Sequence, residues 1–207
     1  VGKAGKGLTY RGYAIEELAE KATFEEVAYM LLYGNLPTKE EYNQYSTKLR
    51  SFRSLPDKLK RVLQSIPKTA HPMDVLRTGC SVLGNLEPEG DFSNQNKTAD
   101  RILAALPSIM TYWYRYSHEG IEVETKTDHE TIGGQFLNLI TGKEPSNEEI
   151  RFLDVSLILY AEHGFNASTF TARICASTLS DMHSCITGAI GTLRGPLHGG
   201  ANEAAME

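Results

Sequence analysis

TFEEVAYMLLYG, Thr23 to Gly34, reads as one complete helix with both of its ends marked. Phe24, Val27, Ala28, Leu31 and Leu32 recur at the three-and-four spacing that gathers them on one helical face. Thr23 and Glu26 stand at the spacing of a capping box, in which each side chain takes up a backbone N–H of the other residue. Gly34 follows the last apolar position, where helices commonly stop.

The same grammar extends outward. Thr38 with Glu41, after Pro37, opens a polar helix to about Phe52. Ile102, Leu106, Ile109, Met110 and Trp113 form a longer apolar stripe that ends near Ser117 to Gly120. Ser146 with Glu149 caps a stripe of Ile150, Leu153, Leu157, Ile158 and Ala161. Met182, Ile186, Ala189, Ile190 and Leu193 make another. Strand character is confined to Leu8–Tyr13, a short hairpin piece beside Gly7 and containing Gly12. The polar stretches 87–98 and 120–130 read as loops. The expected fold class is all-α: a layered helical domain over residues 1–207, with a short N-terminal hairpin.

Bulk composition narrows the partners. Of 207 residues, 41% are apolar and 23% charged, which suits a folded core and excludes wholesale disorder. The formal charge of −5, with no basic stripe, argues against nucleic acid. No apolar run approaches the roughly 20 residues that span a bilayer. Cys80, Cys175 and Cys185 lie far apart without a CxxC pair, as expected in a reducing, cytoplasmic setting. The chain starts at Val1 and stops at Glu207 within a helical pattern, so it reads as part of a longer polypeptide.

Six histidines are the candidates for chemistry. His118 reads as a solvated charge at a helix C-terminus, and His129 as a loop residue. His183 lies in a helix without an acidic or thiol partner at ligand spacing, and His71 precedes Pro72 at a helix start. His163 and His198 differ. His163 sits at a polar break with Glu162, Asn166, Ser168 and Thr169, groups suited to binding carboxylates or capping a new helix. His198 stands between the turn Gly195-Pro196 and the pair Gly199-Gly200, before a helical run from Ala201. The helix dipole there opposes a positive charge, so the imidazole is suited to donate a hydrogen bond to an enolate oxygen. The handling of an enolate by a neutral histidine has a precedent in triosephosphate isomerase, an unrelated protein. No HExxH motif or carboxylate cluster suggests a metal.

RGPLHGGANEA at 194–204, YAEHGFNASTFTAR at 160–173 and HPMDVLRTG at 71–79 together resemble the citrate synthase family. GLTYRGYAIEELAEKATFEEVAYMLLYGNLPT at 7–38 resembles that family's opening hairpin and helices. The resemblance implies an enzyme that condenses an acyl-CoA thioester with oxaloacetate, with no cofactor because coenzyme A arrives as part of a substrate. It also implies a homodimer of large-domain helices paired across a two-fold axis. Residues 112–120 and 176–207 look closer to the branch that takes propionyl-CoA, and the acetyl-CoA branch is the alternative. An all-α binding module without chemistry is a third reading.

By the resemblance, His198 is the catalytic donor to the thioester carbonyl, set in the turn of Gly195, Pro196, Gly199 and Gly200. His163 and Asn166 would hold oxaloacetate, and Ser168 would orient the His198 ring. The family's second catalytic histidine, its aspartate base, its carboxylate-binding arginines and its small coenzyme A domain would follow residue 207. On this reading residues 1–207 carry the electrophilic half of a site and are inactive alone.

Overall fold

The structure is a computed structural model that describes residues 7–162 and 164–200. In chain order it contains β1 (Thr9–Tyr10), β2 (Tyr13–Ala14), α1 (Ile15–Lys21), α2 (Phe24–Tyr33), α3 (Lys39–Ser51) and α4 (Asp57–Ser65). There follow α5 (Pro72–Leu86), α6 (Gln95–Glu119), α7 (Ile132–Thr141), α8 (Asn147–Tyr160), α9 (Ala167–Ser177) and α10 (Met182–Leu193). The all-α class and the N-terminal hairpin are therefore both present. The chain divides into two compact units, Val1–Phe52 with Lys126–Gly164, and Arg53–Thr125 with Phe165–Glu207.

The first unit begins with the hairpin. Arg11 and Gly12 have φ of 47° and 95°, so both turn residues take the positive values that a tight two-residue connection uses. Thr9 then faces Ala14, and Tyr10 faces Tyr13. Tyr10 is buried, and its hydroxyl donates to the Ile158 carbonyl at 2.9 Å, fastening the hairpin to α8. The capping boxes at Thr23, Thr38 and Ser146 all form. Asp154 of α8 accepts from the Phe24 N–H at 2.8 Å and pairs with Arg151 at 3.2 Å. Arg151 also donates to the Ala19, Glu20 and Ala22 carbonyls, so α8 is tied to both ends of the α1–α2 link.

In the second unit α4, α5 and α6 enclose a core of Leu59, Leu63, Val75, Leu83, Ile109, Tyr112 and Trp113. The Trp113 ring N–H donates to the Ile66 carbonyl at 3.3 Å, giving this buried indole its partner. Cys80 of α5, Ile102 of α6 and Ile190 of α10 form a second cluster. Thr192 donates to the Thr171 hydroxyl at 2.9 Å, linking α10 to α9.

One loop departs from the sequence expectation, and three helices were not anticipated by it. The presumed loop 87–98 contains a 3-10 turn, Phe92–Asn94, and α6 starts at Gln95 directly after it. The Asp91 carboxylate accepts from the Ser93 N–H at 2.8 Å and starts that turn. As expected, Met182 to Leu193 is a helix of its own: the chain turns at Leu179 (φ 62°) after α9 and restarts at Asp181, which caps Ser184 at 3.0 Å. Short α1, α4 and α7 carry too few periodic positions to be read from pattern, and Gly133-Gly134 disguises α7 as a turn.

Candidate active site

The turn after α10 is built from backbone hydrogen bonds. Gly195 N–H donates to the Thr192 carbonyl at 3.1 Å, and both His198 and Gly200 donate to the Gly195 carbonyl, at 3.0 and 3.2 Å. The chain is drawn back onto the end of α10 so closely that a Cβ on Gly199 would overlap the Leu193 carbonyl oxygen and lie 2.9 Å from Leu193 Cδ1. Only glycine fits there. Gly199 and Gly200 are already helical, so His198 is the last residue before a helix starts, and its ring is half-buried. The expected continuation of that helix, 201–207, lies outside the described residues. Leu197, beside it, is 99% exposed.

The partner of His198 comes from α9. Asn166 is the N-cap of that helix, its Oδ1 accepting from the Thr169 N–H at 2.8 Å. Of the polar residues at this break, Asn166 and not Ser168 or Thr169 makes the cap. Ser168 is thereby free, as the second residue of α9, to place its Oγ 2.8 Å from His198 Nε2. If the hydroxyl donates, the ring proton belongs on Nδ1, and Nδ1–H is the donor left for another molecule. Asn166 spends its carbonyl oxygen on the cap and keeps its amide N–H groups. Asn166 and Ser168 also border a space of about 470 Å3 between α9 and α10, walled by Ala172, Ile186 and Ala189 and bordered by Arg173.

His163 lies outside the described residues. Its neighbours Glu162 and Gly164 are described: the Glu162 carboxylate accepts from the Gly164 N–H, with Gly164 at φ 92°. The motif 160–173 is divided between the two compact units, whose boundary falls after Gly164.

The remaining histidines have local roles. His71 caps α5, its Nδ1 accepting from the Met73 N–H at 3.1 Å. His118 is exposed and stacks on Tyr114, with ring centroids 4.4 Å apart. His129 Nε2 lies 3.5 Å from the Glu144 carboxylate. His183 is deeply buried, with Asp181 3.9 Å away, a carboxylate two residues earlier that ligand-spacing reasoning passes over. Among the described residues no group of three His, Cys, Asp or Glu side chains could hold a metal ion, and no helix is long and apolar enough to cross a membrane.

The sequence that folds into this all-α frame matches a known family along the whole chain. The family model described as "Citrate synthase, C-terminal domain" covers residues 1–207, and the chain belongs to the citrate synthase family. It is 67% identical over 207 residues to the 2-methylcitrate synthase of Shewanella oneidensis, covering 100% of this chain and 55% of that protein. It is 45% identical over 202 residues to the citrate synthase of Deinococcus radiodurans, covering 96% of this chain and 53% of that one. Among solved structures, the ternary complex of citrate synthase from Thermoplasma acidophilum with carboxymethyl coenzyme A and oxaloacetate superposes with a TM-score of 0.88. That pair is 31% identical, with 96% of this chain and 52% of the other covered. The chain thus spans about half the length of the relatives it matches.

Proposed function

We propose that this chain contributes the enol-stabilising half of a 2-methylcitrate synthase, which condenses propionyl-CoA with oxaloacetate and water to give 2-methylcitrate and free coenzyme A. The observation that carries the reading is the 2.8 Å contact between Ser168 Oγ and His198 Nε2, made at a turn that admits only glycine at position 199. Removal of the α-proton of a thioester moves charge onto its carbonyl oxygen. A donor fixed in advance stabilises that oxygen most when the charge is greatest. Ser168 fixes the ring and tautomer, and His198 donates. His163 and Asn166 are assigned to oxaloacetate, and the base to the parent polypeptide outside these residues.

Citrate synthesis from acetyl-CoA is the second reading, and its support is the 45% identity to the Deinococcus enzyme. A difference of one methylene in an apolar pocket is worth only about 1–3 kcal/mol, so both thioesters should react and the ratio of kcat/KM decides. Full-length parent protein assayed for coenzyme A release, with oxaloacetate and each thioester in turn, is expected to prefer propionyl-CoA. Preference for acetyl-CoA overturns the first reading, and no release with either leaves the scaffold reading.

The same proposal includes a cytoplasmic homodimer. The dimer is supported by α9, an 11-residue helix with no buried residue, on which Phe170 and Ile174 are 60% and 53% exposed. A face of that composition is covered in a stable assembly.

A further inference from the structure

Cys175 and Cys185 lie on different helices, α9 and α10, which the turn at Leu179 (φ 62°) folds side by side in opposite directions. Two contacts fix the register of that pair. Thr192 donates to the Thr171 hydroxyl at 2.9 Å, and a Cβ on Gly188 would lie 3.5 Å from Thr171 Cγ2. Cys175 is one turn further along α9 from Thr171, and Cys185 is one turn back along α10 from Gly188. The register therefore sets the two thiols against each other, and they share a hydrogen bond. A disulfide needs Cα atoms about 4.4–6.8 Å apart, a spacing that packed helices reach at facing positions where small residues let them approach. Ala172, Ala176 and Ala189 border the seam here.

The two thiols differ in environment. Cys185 is 5% exposed, whereas Cys175 is half-buried and lies off the exposed side of α9 that carries Phe170 and Ile174. Burial, and then the hydrogen bond and charge of Cys175, push the Cys185 thiol up to about 11, with the Asp181 and Glu89 carboxylates adding to the effect. Cys185 therefore keeps its proton near neutral pH and offers it to Cys175. The Ser180 carbonyl, 3.9 Å from Cys185 Sγ, competes weakly for that hydrogen. Cys175, the more open of the two, is the sulfur that an oxidant meets first.

We propose that Cys175 and Cys185 are a reversible redox pair, which hydrogen peroxide converts into a disulfide tying α9 to α10. The Cys175 thiolate attacks one peroxide oxygen, the O–O bond breaks, and hydroxide leaves, giving a sulfenic acid at Cys175. The Cys185 sulfur then loses its proton and attacks the Cys175 sulfur. The S–O bond breaks, and the departing hydroxide is released as water. Two thiols and one peroxide become one disulfide and two waters, and a dithiol reductant reverses the change. Cys80 has no part in it: that thiol is fully buried on α5, its Sγ 3.8 Å from the His183 carbonyl. The bond would lie about two turns along α9 from Ser168. The inference does not rest on the proposed reaction, and its test reads no turnover.

Trypsin releases Ile174 to Arg194 as one peptide that contains Cys175 and Cys185 and no other cysteine. Full-length protein treated with hydrogen peroxide, then denatured in acid, alkylated with iodoacetamide and digested, tests the pair by mass spectrometry. Both alkyl groups should be lost from that peptide about tenfold faster than the one at Cys80, and dithiothreitol should restore them. In Cys185→Ser, dimedone should trap the sulfenic acid at Cys175. In Cys175→Ser, Cys185 should remain open to alkylation. Retention of both alkyl groups, loss at the same rate as at Cys80, or a Cys175 disulfide to any cysteine other than Cys185 would overturn the proposal.

Discussion

Ser168 Oγ and His198 Nε2 are 2.8 Å apart across 30 residues of sequence, and both sides of that contact are set by helix ends. The Asn166 cap decides where Ser168 falls on α9, and the glycine turn after α10 decides where His198 falls. The pair is a product of two local structures, each of which can be altered separately.

Removing the serine hydroxyl frees the ring without removing the donor. In the full-length enzyme, Ser168→Ala is expected to lower kcat about five- to tenfold, the rate equivalent of ~1–1.4 kcal/mol, and leave the KM for oxaloacetate unchanged. Ser168→Thr, which keeps a hydroxyl, should restore much of the rate. Steady-state kinetics of the two variants side by side is the check, and equal rates in wild type and Ser168→Ala would remove the positioning role.

The turn can be loaded sterically. Gly199→Ala places a methyl group against the Leu193 carbonyl, a backbone group that cannot swing aside. A cost of ~1–3 kcal/mol is expected from such overpacking. At Gly195 the nearest contact to an added Cβ is 3.3 Å, to the Thr192 carbonyl, so Gly195→Ala should cost less. Thermal melts that rank the two variants the other way would contradict the geometry.

Much of this was legible in sequence. Three capping boxes and the apolar stripes sufficed for the all-α class, because both signals are local and need no tertiary partner. The Gly-Pro and Gly-Gly flanks of His198 marked a histidine with a special backbone. The cap on α9 was less legible, since Asn166, Ser168 and Thr169 are all good capping residues and only the folded chain chooses among them. His183 was not legible at all. What buries it is Gly84 of α5, 99 positions earlier by residue number, where a Cβ would lie 2.6 Å from that of His183.

His183 should also leave a mark on stability. Burial lowers its pKa below the ordinary 6.5, with Asp181, Glu89 and Glu87 opposing and Arg101 assisting. The unfolded chain then takes up a proton that the folded chain refuses. The contribution is present above about pH 6.5 and is lost as pH falls below it. Urea midpoints at about pH 7.5 and about pH 5.5 should fall with acidification in wild type, and fall less in His183→Phe. Equal slopes would show that another group titrates.

The exposed side of α9 predicts association. Phe170→Glu combined with Ile174→Glu changes only exposed positions, so the folded chain should survive while the apolar face is lost. Sedimentation of full-length wild type should give a dimer and that of the double variant a monomer. A wild-type monomer, or a double variant that remains dimeric, would place the interface elsewhere or remove it.

The measurement that bears most directly on the account is the turnover of full-length His198→Ala with propionyl-CoA and oxaloacetate. Loss of one preorganised donor to a developing oxyanion costs roughly 2.7–4 kcal/mol, about 10²–10³ in rate. The variant is expected to fold as wild type, retain its oxaloacetate affinity, and lose at least that factor in kcat. A folded His198→Ala enzyme with near-normal turnover would contradict the assignment of His198 as the donor.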